Sequence, residues 1–123
     1  MIYEFCAENV TLLEKAMQAG SRRIELCDNL AVGGTTPSYG VTKAAVELAA
    51  NYDTTIMTMI RPRGGDFVYN ELEIAIMLED IRLTAQAGSQ GVVFGVLTAD
   101  KKLDKPNLEK LIAASKGMEI VFH

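Results

Sequence analysis

Thr54-Thr55-Ile56-Met57-Thr58-Met59-Ile60-Arg61-Pro62-Arg63-Gly64-Gly65-Asp66-Phe67 changes character in its middle. Residues 54–60 are apolar and β-branched, the pattern of a buried strand. Pro62 cannot donate to a strand ladder and pushes Arg61 toward an extended conformation. Gly64 and Gly65 allow a turn that other residues resist. A core strand has no need of two arginines, two glycines and Asp66 at its end. Two readings stand side by side. One is a rigid loop holding guanidinium groups at the mouth of a pocket. The other is a solvated turn whose arginines pair with nearby acids.

Outward from this stretch the chain alternates. An extended run at residues 2–6 precedes a helix to about residue 19, which Asn9 or Thr11 can cap and Gly20 can end. Residues 23–27 read as a second strand, and a long loop, 28–40, contains Gly33-Gly34-Thr35-Thr36-Pro37-Ser38. A helix over about 41–51 leads into the strand 54–60. The longest helix, about 70–87, carries Leu72, Ile76, Met77, Ile81 and Leu83 at helical spacing. Residues 91–96 are an almost wholly apolar strand, as in a parallel sheet covered on both faces. A helix from Asp104 or Asn107 to about residue 116 has Pro106 in its first turn, and residues 118–123 form a fifth strand. Strict strand–helix alternation implies a parallel α/β sheet. Two architectures fit it: an open, doubly wound, flavodoxin-like sheet, or parallel (β/α) units of a TIM barrel.

Composition narrows the function classes. The 123 residues are 49% hydrophobic and 23% charged, with a net charge of −4. Acidity argues against a nucleic-acid partner and against attraction to anionic membranes. No run approaches the ~20 apolar residues that span a bilayer. The first residues lack a basic region followed by a long apolar stretch, so the expected compartment is the cytoplasm. There Cys6 and Cys27 are expected as thiols.

Parallel strands bring their C-terminal ends to one edge, where sites form. The expected strand ends carry Glu4 and Cys6, Glu25 and Cys27, Met59 and Arg61, and His123. Alternation puts each of these pairs on one face. Two in-register thiols on neighbouring strands would nearly meet, and soft thiolates suit Cu(I). They equally suit the core as small hydrophobes. Met57 and Met59 can add thioethers or simply fill space. Glu4 and Glu25 need partners inside a sheet, and Arg61 and Arg63 are the expected ones. Glu25 and His123 are candidates for acid/base work, or for structural roles. The 33–38 loop can cradle an anion through Thr35 and Ser38 beside Arg61 and Arg63. It matches no phosphate or dinucleotide motif, and no organic cofactor is expected. Glu4 and Asp66 are expected to be structural.

Five segments, 22–27, 33–40, 60–67, 91–97 and the terminal Phe122-His123, together resemble the CutC copper homeostasis proteins. The resemblance implies a cytoplasmic, homo-oligomeric (β/α)₈ barrel binding Cu(I) through the two cysteines of the first and second strands, here Cys6 and Cys27. The family continues past Phe-His into further strand–helix units. Residues 1–123 are therefore expected to form a single partial barrel domain, truncated after the fifth strand. The alternative is a barrel enzyme holding a small phosphate or carboxylate substrate at Arg61 and Arg63. The expected partners are accordingly a copper ion or a small anion.

Overall fold

The computed structural model describes residues 2–123; Met1, part of the expected 1–123 unit, lies outside them. Strands and helices alternate as β1 (Glu4–Glu8), α1 (Leu13–Gln18), β2 (Arg23–Cys27), α2 (Tyr39–Ala49), β3 (Thr55–Met59), α3 (Glu71–Gln86), β4 (Gly91–Phe94), α4 (Lys105–Ala114) and β5 (Glu119–Phe122). Each strand pairs in parallel with the next, in the order β1-β2-β3-β4-β5.

That order decides between the two architectures. A doubly wound sheet reverses its strand order at a switch point and carries helices on both faces. Here the order never reverses. Ala7, Ile24, Leu26 and Ile56 pack against Leu13 and Met17 of α1 and Ala45 and Ala49 of α2. Farther along the same face, Ile60, Val92 and Phe94 pack against Ile74, Met77 and Ile81 of α3 and Leu111 of α4. The opposite face gathers Cys27, Met57, Met59 and Val93, with Val121 beside them and no helical residue in the cluster. Helices outside and a side-chain-filled inner face are the arrangement of a barrel wall.

Local chemistry explains most element starts. Ser38 caps α2 by accepting the Val41 N–H at 3.1 Å. Asn70 and Glu73 form a reciprocal capping box on α3, and Asp104 accepts from the Asn107 N–H at the start of α4. The first helix departs from expectation. Neither Asn9 nor Thr11 caps it; Leu12, at φ 58°, precedes it with no side-chain cap. Asn9 instead turns its side chain back to the Val10 N–H. Its strand departs too, running from residue 4 to residue 8 rather than from 2 to 6. Glu8 ties the end of β1 to the next loop by accepting the Leu30 N–H at 2.8 Å. Cys6 therefore lies mid-strand, not at the strand's end.

Candidate functional site

Parallel register places paired residues on the same face, so the inner face can be listed in rows. Glu4, Arg23 and Thr55 form one row. Cys6, Glu25, Met57, Gly91 and Glu119 form the next. Glu8 pairs with Cys27 in the row nearest the strands' C-terminal ends, where Met59, Val93 and Val121 continue it. Cys6 and Cys27 thus share a face but not a row. The expectation of in-register thiols is corrected: two residues along a strand add about 6.6 Å to the roughly 4.8 Å between strands. The cause is the two-residue displacement of β1.

Sulfur is nevertheless concentrated here. Cys27, Met57 and Met59 are buried together. A Cβ on Gly34 would lie 3.2 Å from the Cys27 Sγ and 3.6 Å from the Met59 methyl. A Cβ on Gly91 would collide with the Met57 thioether. Glycine at both positions therefore makes room for this sulfur layer. Cys6, on the edge strand, is exposed.

Glu25 shares the row of Cys6, and Glu4 lies one row nearer the strands' N-terminal ends. Glu4 pairs with Arg23 at 3.3 Å, not with Arg61 or Arg63 as expected. Partial burial raises the Glu25 carboxyl pKa, and the charge and hydrogen bonding of Glu4 raise it further, against the pull of Arg23. Partial loss of solvent around the otherwise exposed Cys6 thiol also raises it, with Glu25 and Glu4 adding to it. Cys27 is pushed up to about 12 by burial, then by Glu25 and Cys6. Both thiols are protonated near neutrality. Glu25→Gln removes a charge that opposes thiolate formation, so iodoacetamide should alkylate Cys6 several-fold faster at pH 8. An unchanged rate would mean that this carboxylate does not govern the thiol.

The arginine loop performs different work from that expected. Arg61 is 5% exposed and grips the preceding loop: Nη1 donates to the carbonyls of Val32 at 2.7 Å and Gly34 at 2.9 Å, and Nη2 to Gly65 at 2.7 Å. Phe67 lies over its guanidinium at 5.0 Å, and His123 meets Phe67 edge-on at 5.0 Å. Arg63 turns outward to Glu73 at 2.5 Å and Asp66 at 3.1 Å, with Tyr69 beneath it at 5.1 Å. Asp66 also accepts the Val68 N–H, a loop-shaping contact. Thr35 bridges back to Asp28 and accepts from Asn29, while Ser38 is occupied as a helix cap. These four expected anion ligands are thus each engaged in contacts within the protein. His123 is apart from Glu25 in the rows, and its imidazole pKa is lowered by burial and by the Arg61 charge.

The family model described as the CutC family matches residues 1–123. The chain belongs to the CutC family. It is 54% identical over 123 residues to a CutC family protein of Streptococcus pyogenes serotype M6 and 50% identical to one of Enterococcus faecalis. All of this chain is covered in both matches, against 59% of each relative. A CutC crystal structure from Streptococcus agalactiae, described as a copper homeostasis protein, superposes with a TM-score of 0.95 at 49% identity, again over 100% of this chain and 59% of that one. The chain therefore spans about half to three-fifths of the length of the CutC relatives it matches.

Several residues of this CutC family site escaped the sequence-based set. Glu8 was hidden by the misplaced end of the first strand. Arg23 was legible, because it alternates with Glu25 on one strand face. Glu73 was legible too, three residues after Asn70 in the spacing of a capping box. Nothing in the local sequence singles out Tyr69. Among the described residues, no three His, Cys, Asp or Glu side chains cluster as a metal site. No helix among them is long and apolar enough to cross a membrane.

Proposed function

We propose that this chain serves copper homeostasis in the cytoplasm, as part of a homo-oligomeric barrel protein, by binding Cu(I) through Cys6 and Cys27. One observation carries the proposal: both cysteines occupy one face of adjacent strands, Cys6 in the row of Met57 and Cys27 buried against Met57 and Met59. Soft sulfur donors select Cu(I), which accepts fewer ligands than zinc. The S. agalactiae relative, described as a copper homeostasis protein, supports the same direction. The diagonal offset of the cysteines requires adjustment, and Cys6 is the member free to make it, being exposed on an edge strand. Glu25 then acts as a neighbouring charge that sets the cost of forming the thiolates, not as a ligand.

Anaerobic Cu(I) titration against a chromophoric competitor tests this. Cys27→Ser and Cys6→Ser should each lower the affinity by at least about 100-fold, the effect of losing one of two thiolate ligands. Unchanged affinity in both variants would remove the cysteines from the site.

A further inference from the structure

Two methionines share the buried sulfur layer with Cys27, and their neighbours tell them apart. Parallel pairing sets Glu25 beside Met57 and Leu26 beside Thr58, so the next position along sets Cys27 beside Met59. These two side chains share the inner face of adjacent strands, which lie roughly 4.8 Å apart. Both are buried.

Gly34 shows where the side chains end. Its loop carries it over the sulfur layer at φ 95°, a conformation that favours glycine. The space that a Cβ there would fill lies 3.2 Å from the Cys27 Sγ and 3.6 Å from the Met59 Cε. The thiol and the tip of the Met59 side chain therefore border one small space. Met57 turns the other way. Its thioether lies over Gly91 of β4, where a Cβ would collide with it, on the side of β3 away from Cys27. A purely structural layer could use leucine in both places.

We propose that Met59, and not Met57, is a third Cu(I) ligand, its thioether joining the Cys27 thiolate at the space over Gly34. This inference rests on the cysteine site proposed above. A thioether is a soft, neutral donor of the kind that selects Cu(I). Its sulfur carries no proton to lose on binding. Three rotatable bonds let the Met59 Sδ take the place that its methyl now holds. Cys27 and Met59, side by side and buried, form the fixed half of the site. Cys6, exposed and diagonal to Cys27, closes it.

Cu(I) is diamagnetic, so NMR reads the ligand directly. A chain labelled with [methyl-¹³C]methionine carries one methyl probe on each of its six methionines. Met59→Leu nearly conserves volume and identifies the Met59 signal by deleting it. Should that variant not fold, through-space contacts to the Gly34 α protons identify it instead. Anaerobic Cu(I), added to one equivalent, should move the Met59 methyl farthest. In the competition titration Met59→Leu should lose at least about tenfold in affinity, the lower bound even for residues outside a ligand set, and Met57→Leu should lose none. The two readings fail separately. A stationary Met59 methyl, with Cu(I) binding that Cys27→Ser still weakens, overturns the thioether ligand and leaves the cysteines in place. Unchanged affinity in both cysteine variants overturns both. Equal losses in Met57→Leu and Met59→Leu would mark a response of packing, not ligation, and overturn the assignment to Met59.

Discussion

Cu(I) affinity should rise about 100-fold for each pH unit between pH 6 and 8, because two protons leave as two thiolates form. The sign follows from the thiols. Cys6 is raised above its ordinary value of 9.0 and Cys27 is pushed up to about 12, so both are fully protonated across this range. Raising the pH therefore removes a competitor from both ligands at once, and the plot of log affinity against pH has a slope near two. Near the Cys6 pKa, above pH 9, the slope should fall toward one as that thiol ionises unaided. Cys6→Ser should show a slope near one throughout. The measurement is a competition titration with a probe whose own Cu(I) affinity does not vary with pH. A slope near zero in the unaltered chain would mean that neither thiol binds as a thiolate. A slope of one that survives in Cys6→Ser would leave Cys27 as the single thiolate.

The fold was largely legible because its signals are local. Gly20 after α1, Pro106 in the first turn of α4 and the apolar run at residues 91–94 each declare an element boundary without tertiary help, whereas Ser38, read as an anion ligand, is in fact a helix cap. Strand alternation also placed Cys6 and Cys27 on the inner face correctly. Two things were not local. The register of β1, which pairs Glu8 rather than Cys6 with Cys27, involves segments far along the chain, such as the amide of Leu30, 22 residues from Glu8. The choice between a doubly wound sheet and a barrel wall depends on strand order, which alternation alone leaves open. The arginine loop shows the same limit. Its charge and glycines mark it as special, yet whether a guanidinium meets a ligand, an acid or a carbonyl is decided by segments such as 32–34 that arrive from elsewhere in the chain.

Arg61→Ala should destabilise the fold by about 3–5 kcal/mol, a large part of the 5–15 kcal/mol typical of a domain. Two effects oppose each other. Removing a buried charge that lacks an acid partner relieves a desolvation cost, and buried ionic groups replaced by apolar ones can be nearly neutral. Here alanine restores nothing in exchange. The carbonyls of Val32, Gly34 and Gly65 each lose a charge-assisted hydrogen bond, a class worth about 1.5–3 kcal/mol. The Phe67 ring loses the guanidinium it covers. Moreover, Gly33, Gly34 and Gly65 all hold positive φ, conformations that this cage stabilises. The loss therefore exceeds the relief. Arg61→Met, which keeps an apolar stem without the donors, should recover part of the packing but not the loop. Arg63→Ala is the comparison: its guanidinium also holds the Asp66 and Val68 carbonyls besides Glu73 and Asp66, but it is only half-buried, so water can replace it and its loss should matter less. Urea unfolding monitored by far-UV circular dichroism gives the comparison. An Arg61→Ala midpoint no lower than that of Arg63→Ala would show that the three carbonyls find water instead, and that this arginine does not hold the loops at the barrel rim.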